Sequence, residues 1–259
     1  MTYFFPVSQS IFSTDALKVY VGSHYSLGNF ADCRFLMSGL NHTYLLKAEN
    51  NQKYIFRVYR VNWRSLEAIR CELEALLFMA NNGASVSIPI ADSLENYIQV
   101  FSAPEGKRYG VLFSYAPGKP KFEDETQAIL YGKNMAKFHN ASTLFQSKHK
   151  RFPLDLEQLI TLPLASISSY LQERPKDVAY LKALANKLVR KLEALPLADL
   201  EKGYCHGDFH FGNAHITEEG ELTFIDFDFS GFGWRAYDLA VYRWGLYFDD
   251  KTAFWPFFL

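Results

Sequence analysis

A short stretch of the chain concentrates the residue types that can do chemistry. Residues 206–228 read HGDFHFGNAHITEEGELTFIDFD and hold three histidines, three aspartates and one asparagine among glycines and short apolar runs. Polar clusters of this density seldom lie in an apolar core, and a loop held between strands presents its side chains to a cleft. The stretch therefore predicts a polar site on a loop.

Three oxygen-bearing side chains in this stretch suit a hard cation. Asn213 follows Asp208 at a spacing of five residues, and Asp226 comes after a hairpin whose second strand, LTFI, is apolar. Carboxylate and amide oxygens are ligands that Mg²⁺ prefers, often beside a phosphate chain, which a nucleotide would supply. Protein kinases use an aspartate, an asparagine and a metal-binding aspartate at comparable spacing. The pattern indicates magnesium-assisted phosphoryl transfer.

The elements that must position these residues change in character near Gly118. Before it, KYIFRVYR follows the polar turn at residues 49–52 and alternates, with Tyr54, Phe56 and Val58 on one face. Further strands are predicted around residues 97–101 and 109–115. Together they predict a small antiparallel sheet.

Between these strands, one helix is predicted. Apolar residues recur at intervals of three and four from Leu66 to Ala80, and the helix is expected to end near Asn82 and Gly83. Glu72 lies at the edge of the apolar stripe.

After Gly118 the pattern is mainly helical. Pro163 is expected to kink or divide one of the helices. The predicted helices cover residues 124–144, 156–171 and 176–195, with a last one from near Arg235, and short strands cover 204–205, 214–217 and 222–225.

HGDFHFGN followed by FIDFDFSGFGWRAYDLA resembles the aminoglycoside phosphotransferase and choline kinase-like family of small-molecule kinases. The resemblance implies an α+β, two-lobed protein-kinase-like fold, with a small antiparallel sheet lobe and a larger helical lobe. It implies a nucleotide-binding lobe over residues 1–116 and a catalytic, acceptor-binding lobe over 117–259. It also implies that Asp208 is the base orienting a substrate hydroxyl, with Asn213 and Asp226 as magnesium ligands.

Upstream, SGLNHTYLL followed by KYIFRVYR resembles the nucleotide-covering hairpin of the same family. The resemblance places Arg57 where the phosphate-pairing lysine would be. Arginine keeps the positive charge and can chelate phosphate oxygens through its planar fork, but its reach and geometry differ from those of lysine. Glu72 is then the expected ion-pair partner, with Glu74 as the second choice.

Further nucleotide contacts follow from this resemblance. Gly39 and Asn41 are candidates for contacting the nucleotide, or they simply form the hairpin turn, since a full GxGxxG is absent. Phe113 and Tyr115, with Ser114 between them, form the expected hinge strand, whose backbone would read the adenine edge.

Other polar residues are interpreted as support for the loop. His206 is expected to hold the loop by hydrogen bonding, and His210 to contact the metal site, a phosphate or only the loop backbone. Asp228, the second acid of IDFD, is either a further metal ligand or the cap of the following turn. Asp238 in YDLA is expected to anchor the loop as a hydrogen-bond acceptor, and His139 reads as a core histidine.

Composition excludes several classes of partner. The chain has 259 residues, 49% hydrophobic and 21% charged, as in an ordinary globular protein. The net charge of −1 gives no overall field for a nucleic acid or an anionic membrane. The first residues do not read as a signal peptide, no membrane-spanning run is visible, and three cysteines without a CxxC pair suit a reducing compartment. A cytoplasmic enzyme without nucleic-acid or membrane partners is predicted; the sequence does not indicate its oligomeric state.

The predicted reaction moves the γ-phosphate of ATP, with GTP as the alternative, to a hydroxyl of a small molecule with Mg²⁺. Between residues 201 and 250 there are ten acidic and three basic residues. This balance favours a cationic acceptor such as an aminoglycoside or an amino alcohol, while homoserine and sugars stay open.

Two other functions compete with this prediction. The chain stops at WPFFL, with aromatic side chains where a folded chain usually has polar ones, so a truncated or catalytically impaired kinase fold that only binds its ligand is the first alternative. The second is a metal-dependent phosphoesterase, because GDFH also resembles the GD-x-H element of dinuclear hydrolases. That reading lacks the upstream D-x-H and downstream N-H-D elements.

Overall fold

A computed structural model describes residues 5–259, which group into two compact units. The first unit comprises the described residues up to Lys119 together with His215–Ile225. The second comprises Pro120–Ala214 and Asp226–Leu259. The division of labour between a nucleotide-binding lobe ending at residue 116 and a catalytic lobe stays a prediction.

The first unit is built on one six-stranded antiparallel sheet. Its order is β1-β2-β3-β6-β4, and β5 pairs with β6 as well. The strands are β1 Phe30–Ser38, β2 His42–Ala48, β3 Lys53–Val58, β4 Pro89–Ile90, β5 Gln99–Ala103 and β6 Gly106–Ser114.

The alternation predicted for β3 is confirmed and decides on which face Arg57 lies. Tyr54, Phe56 and Val58 are buried. They join the core under the sheet, into which helix α1 (Thr14–His24) also packs Leu17 and Val21. Because successive strand residues face opposite sides, Arg57 lies on the other face of β3.

Helix α1 is an element that the sequence analysis did not predict. Ser13 caps its start by accepting a hydrogen bond from the amide of Ala16 at 3.3 Å. Such a cap stabilises a helix by about 1 kcal/mol. The fold class is unchanged, but the first unit carries two helices where one was expected.

The one helix predicted in this unit is confirmed as α2, Leu66–Asn81. The Ser65 hydroxyl accepts from the amide of Ala68 at 3.1 Å and caps the first turn. The helix ends at Asn81 and Asn82 is its C-cap. Gly83 follows with a φ of 86°, a left-handed conformation that glycine adopts without a steric cost.

The first unit also includes a hairpin that comes late in the chain, β8 Ala214–Ile216 and β9 Leu222–Phe224. The amide of Ser87 donates to the Phe224 carbonyl at 2.9 Å, and Lys119 pairs with Ile216 in an isolated bridge. Gly118, with a φ of 84°, allows this approach, because a Cβ atom there would lie 2.2 Å from the Ile216 carbonyl oxygen.

The second unit is mainly helical, with one two-stranded antiparallel sheet. Its elements are α3 Glu125–Ala141, α4 Leu162–Tyr170, α5 Pro175–Glu193, β7 Lys202–Cys205, β10 Gly231–Trp234, α6 Ala236–Phe248 and α7 Trp255–Phe258.

Pro163 divides the helix predicted over residues 156–171. A π-helical turn, Glu157–Thr161, comes first, and α4 begins at Leu162 with the proline in its first turn. Proline is tolerated there because the first amides of a helix have no partner within it.

The aromatic residues at the end of the chain pack onto α3 and α6. Phe258 is buried and stacks on Tyr242 with ring centroids 4.1 Å apart. A Cβ atom at Gly132 would lie 2.0 Å from the Phe258 carbonyl oxygen, so the contact requires glycine there.

Candidate active site

The loop HGDFHFGN begins where β7 ends and occupies residues 206–213. Gly207 has a φ of 81°, and a Cβ atom on it would lie 2.1 Å from the Phe229 carbonyl oxygen. The loop therefore needs glycine at this position. At its other end, the Tyr131 hydroxyl of α3 donates to the Phe211 carbonyl at 2.6 Å. Both ends are tied to regular structure.

A buried carboxylate holds the start of the loop. Asp238, in the first turn of α6, is fully buried and accepts hydrogen bonds from the amides of His206 and Gly207, both at 2.9 Å. His139 Nε2 of α3 lies 2.9 Å from the same carboxylate. Hydrogen bonds to a charged acceptor are stronger than neutral ones, so Asp238 fixes the backbone that leads into Asp208.

Asp208 and Asn213 are in direct contact. The Asn213 amide nitrogen donates to the Asp208 backbone carbonyl at 2.9 Å and to its carboxylate at 2.8 Å. Both donor hydrogens of the amide are used, so its oxygen, Oδ1, is the atom left to accept or to bind a cation.

His210 is the second neighbour of the Asp208 carboxylate. Its Nε2 lies 3.6 Å from Asp208 Oδ2, while its Nδ1 accepts from the amide of Gly212 at 3.0 Å. Because the Nδ1 atom is the acceptor, the Nε2 atom carries the hydrogen and faces the carboxylate. His206 supports the loop differently, since its ring accepts from the Asp208 amide at 3.3 Å.

These contacts shift the pKa values of the pair in opposite directions. Burial acts first and raises the pKa of Asp208, but the interaction with His210, helped by His206 and Asn213, outweighs it and leaves the pKa below its ordinary value. The interaction with Asp208 raises the pKa of His210 against the effect of burial, and the charges of Asp226 and Asp249 add to the rise. Asp208 is therefore ionised at neutral pH. The carboxylates of Asp226 and Asp249 make the electrostatic potential at His210 more negative.

Asp226 begins a tight turn directly after the late hairpin. Its backbone has a φ of 61° and a ψ of 66°, the left-handed region that non-glycine residues rarely adopt. Such a conformation costs on the order of 1 kcal/mol or more and persists where the surrounding structure enforces it. A 3₁₀ turn, Phe227–Phe229, follows, and Asp228 within it is buried.

In the first unit, the two side chains that the resemblance pairs form an ion pair. Arg57 Nη1 lies 3.0 Å from Glu72 Oε1 of α2. Glu72 is fully buried and the Arg57 side chain is 12% exposed, so water screens the pair little. The Arg57 guanidinium also lies 5.0 Å from the centre of the Phe113 ring. These contacts fix the arginine in one orientation on the sheet.

The other residues expected to contact the nucleotide lie in the same unit. The amide of Gly39 donates to the Asn41 carbonyl at 3.1 Å in the turn between β1 and β2, and Asn41 Oδ1 accepts from the Arg60 amide at 3.2 Å. Asn41 is thus a turn-forming residue whose side chain reaches the end of β3. Phe113 lies within β6, and Tyr115 follows the strand with Lys53 Nζ 5.1 Å from its ring centre. Their roles toward a nucleotide stay predictions.

The polar contact that sequence reasoning missed is that of His139. It was interpreted as a core histidine, and it is buried, but its ring touches the loop-anchoring Asp238. A buried carboxylate needs hydrogen-bond donors. The sequence signal for this contact was an aspartate in one predicted helix, Asp238, and a histidine among apolar residues of another, His139.

Two features, a membrane-spanning helix and a metal-binding cluster of His, Cys, Asp or Glu side chains, are absent from residues 5–259. No helix in this range has the length and apolar character needed to span a bilayer. Within the same residues, no cluster of three or more His, Cys, Asp or Glu side chains is placed to hold a metal ion. The predicted cation ligands include the amide of Asn213, so they do not form a cluster of that kind.

Comparison with solved structures defines the class of fold. An amicoumacin kinase in complex with AMP-PNP, Ca²⁺ and Ami aligns with a TM-score of 0.77 at 19% identity, covering 95% of this chain and 76% of that one. A microcompartment-associated aminopropanol kinase aligns with a TM-score of 0.68 at 21% identity, covering 93% and 80%. The predicted α+β, protein-kinase-like fold is confirmed.

Sequence comparison then gives the family. The model described as the phosphotransferase enzyme family matches residues 32–255, most of the chain. The chain therefore belongs to the phosphotransferase enzyme family, and the predicted membership in this group is confirmed.

Individual relatives agree with this placement. An uncharacterised protein of Synechocystis is 34% identical over 240 residues, covering 92% of this chain and 66% of the relative. One of Deinococcus radiodurans is 36% identical over 260 residues, covering 98% and 75%. The amicoumacin kinase of Bacillus subtilis is 27% identical over 236 residues, covering 85% and 67%. The chain thus spans between 66% and 75% of the length of these relatives.

Proposed function

We propose that this protein transfers the γ-phosphate of ATP to a hydroxyl group of a small, amine-bearing molecule with the help of Mg²⁺. The observation that carries the proposal is the pairing of Asp208 with Asn213 in a loop held by a buried carboxylate. Family membership supports the reaction class, and the geometry of the loop supports the role proposed for each residue.

Asp208 is the group that receives the acceptor hydroxyl. Its lowered pKa keeps it ionised at neutral pH, so it accepts a hydrogen bond from the hydroxyl and can take its proton. Asn213 holds one carboxylate oxygen, which restricts the rotation of the side chain. Positioning of this kind supplies much of the catalysis in phosphoryl transfer, where the protein does little covalent chemistry.

The donor set fits a magnesium ion. The Asn213 amide nitrogen is engaged by Asp208, which leaves the amide oxygen, and Asp226 supplies a carboxylate, with Asp228 as a further candidate. Both are oxygen ligands of the kind that Mg²⁺ takes beside phosphates. When bound, the ion would neutralise charge on the phosphate oxygens. The left-handed backbone of Asp226 fixes the direction in which its side chain leaves the chain.

Arg57 is the proposed contact for the nonreacting phosphates. Arg57 Nη1 donates to the Glu72 carboxylate, and a guanidinium can bind two phosphate oxygens at once through its planar fork. The ion pair also limits the motion of a long side chain that would otherwise lose entropy on binding the nucleotide.

An amine-bearing acceptor fits the charge around the loop. Asp208, Asp226 and Asp249 together raise the pKa of His210, which indicates a negative potential at this point. A protonated amine would be attracted there. The amicoumacin kinase and the aminopropanol kinase are named for acceptors, and an aminopropanol carries both an amine and a hydroxyl.

The deciding experiment is a screen for acceptor-dependent ATP consumption with aminoglycosides, amino alcohols, homoserine and sugars. Asp208→Asn should lower turnover about a thousandfold, since general-base groups contribute factors of this order. Binding of AMP-PNP should change little, because Asp208 is not assigned to the nucleotide. Turnover by Asp208→Asn at the wild-type rate contradicts the assignment.

The same assay separates the alternatives. AMP-PNP binding without turnover on any acceptor would support a catalytically impaired or truncated kinase fold that acts by binding. Phosphate release from phosphoesters in the absence of ATP would support the phosphoesterase. GTP in place of ATP tests the nucleotide preference.

A further inference from the structure

One guanidinium group holds the turn that follows Asp226. Arg151 Nη2 donates to the backbone carbonyls of Phe227 at 3.0 Å and Asp228 at 2.7 Å. Arg151 Nε donates to the carbonyl of Ser230. Three carbonyl oxygens of a single turn are therefore bound by one side chain.

The same turn is held from a second direction by Ser230, which is fully buried. Its amide and its hydroxyl both donate to the Phe227 carbonyl, at 3.0 and 2.6 Å. The Tyr204 hydroxyl of β7 lies 2.9 Å from the Ser230 hydroxyl. Ser230 thus binds the Phe227 carbonyl, whereas Arg151 binds the carbonyls of Phe227, Asp228 and Ser230.

The segment that carries Arg151 is itself fixed. The amide of Leu154 donates to the Phe232 carbonyl at 2.7 Å, and Leu154 pairs with Gly233 in a parallel bridge along β10. A Cβ atom at Gly231 would lie 2.7 Å from the Phe152 carbonyl oxygen, so this approach requires glycine. Arg151 thus reaches the turn from a rigid support.

We propose that Arg151 is a positioning residue for cation binding. It holds the turn so that Asp226 keeps its left-handed backbone and Asp228 keeps its place within the turn. The inference rests on the proposed function, because Asp226 and Asp228 matter as cation ligands only if that function is correct. A planar guanidinium suits the task, since its donors point in fixed directions at several acceptors at once.

The binding test uses Mn²⁺ as the probe, with saturating AMP-PNP and free Mn²⁺ measured by electron paramagnetic resonance. Arg151→Met removes all the donors, and we expect the Kd for Mn²⁺ to rise about tenfold, the effect typical of losing a group that orients a metal ligand. Arg151→Lys keeps the charge but has a single nitrogen, and should give an intermediate Kd. Arg190→Met, on the exposed side of α5, is the matched control and should bind as wild type does.

A second readout uses the ligand-free protein. The Ser230 amide donates to the Phe227 carbonyl within the turn, so its hydrogen exchange should become faster in both Arg151 variants and stay unchanged in Arg190→Met. If Arg151→Met does not fold, Arg151→Lys carries both measurements. Unchanged Mn²⁺ affinity in a folded Arg151 variant overturns the inference, with or without faster exchange.

The wild-type protein shows which idea has failed. If wild type binds no Mn²⁺ in the presence of AMP-PNP, the proposed function fails and this inference fails with it. If wild type binds Mn²⁺ and the variants bind it equally well, the inference fails alone. Thermal unfolding of each variant identifies a loss of folded protein, which would lower the number of sites without changing their Kd.

Discussion

The two compact units fix their key charged groups in different ways. In the first, Arg57 is held by the Glu72 side chain at 3.0 Å, so one charged side chain orients another. In the second, Asp238 accepts the amides of His206 and Gly207, so a charged side chain orients backbone. The first arrangement fixes the end of one side chain, whereas the second fixes the path of a loop and every residue on it. A change at Asp238 should therefore have wider effects than a change at Glu72.

The largest effect is expected for Asp238→Asn. The new amide group would present hydrogens to a site that needs only acceptors, since two backbone amides and His139 point at it. We expect the free energy of unfolding to fall by about 3 kcal/mol and turnover to fall with it. Urea unfolding and the kinase assay measure the two, with Asp199→Asn on the exposed surface as the control. A loss below about 1 kcal/mol would show that Asp238 is not the anchor.

Glu72→Gln should have a smaller and more local effect. Glutamine keeps a hydrogen bond to Arg57 but leaves the arginine charge without its buried counterion, so we expect about 2 kcal/mol of destabilisation. The KM for ATP should rise about tenfold, because an Arg57 that is less firmly held binds phosphates less well. Asp15→Asn is the control, because the Asp15 side chain is exposed and its partner Lys18 lies 3.8 Å away. An unchanged KM would separate Arg57 from nucleotide binding.

The pair formed by Asp208 and His210 predicts a pH-dependent effect. The pKa of His210 is raised, so its contribution to stability is complete below its ordinary pKa of about 6.5 and is lost as the pH rises through the raised value. The pKa of Asp208 is lowered, so its contribution is present above about pH 4 and is lost as the pH falls through the lowered value.

His210→Gln should therefore destabilise the protein most near about pH 5 to 6, and the difference from wild type should shrink toward about pH 9. Urea unfolding across this range measures it. A difference that does not vary with pH would contradict the assignment of the pair.

The smallest effect is expected for Arg57→Lys. This variant separates the contribution of the positive charge from that of the planar guanidinium. Lysine keeps the charge opposite Glu72 but loses the planar contact with Phe113. We expect the KM for ATP to rise about threefold, less than for Glu72→Gln, because lysine keeps the charge but loses the planar fork. Steady-state kinetics of Arg57→Lys and Glu72→Gln measure the two KM values for ATP in the same assay. An increase as large as that of Glu72→Gln would mean that the planar guanidinium is required, and not only its charge.

The sequence predicted those elements whose side chains follow a clear period. The alternation in β3 and the helical spacing in α2 were enough to define both. Helix α1 was missed because its middle, Val19, Tyr20 and Val21, consists of residue types that favour strands, and contacts with the sheet decide its conformation. Strand β1 was missed because it shows no clean alternation, and its pairing with β2 is interrupted by irregular register.

For the candidate site, spacing predicted that Asp208 and Asn213 lie together, but not how the loop that carries them is held. The five-residue spacing from Asp208 to Asn213 is local, so the sequence could indicate the pair that the structure brings into contact. The contact between His139 and Asp238 spans 99 residues, and no local pattern contains it. The hydrogen bonds from Arg151 to the carbonyls of Phe227 and Asp228 likewise join residues that lie far apart in the sequence. Roles toward a nucleotide, a cation and an acceptor stay predictions until measured.

The left-handed backbone of Asp226 restricts which residues the position can accept. Asparagine, aspartate and glycine adopt a φ near 61° most easily, while glutamate offers the same carboxylate without that tolerance. The proposed cation site adds a demand for a negative charge, and aspartate is the residue type that combines this charge with this backbone. Substitution of Asp226 by asparagine or glycine would keep the left-handed backbone but remove the charge. Substitution by glutamate would keep the charge but strain the turn, so almost every substitution at this position has a cost.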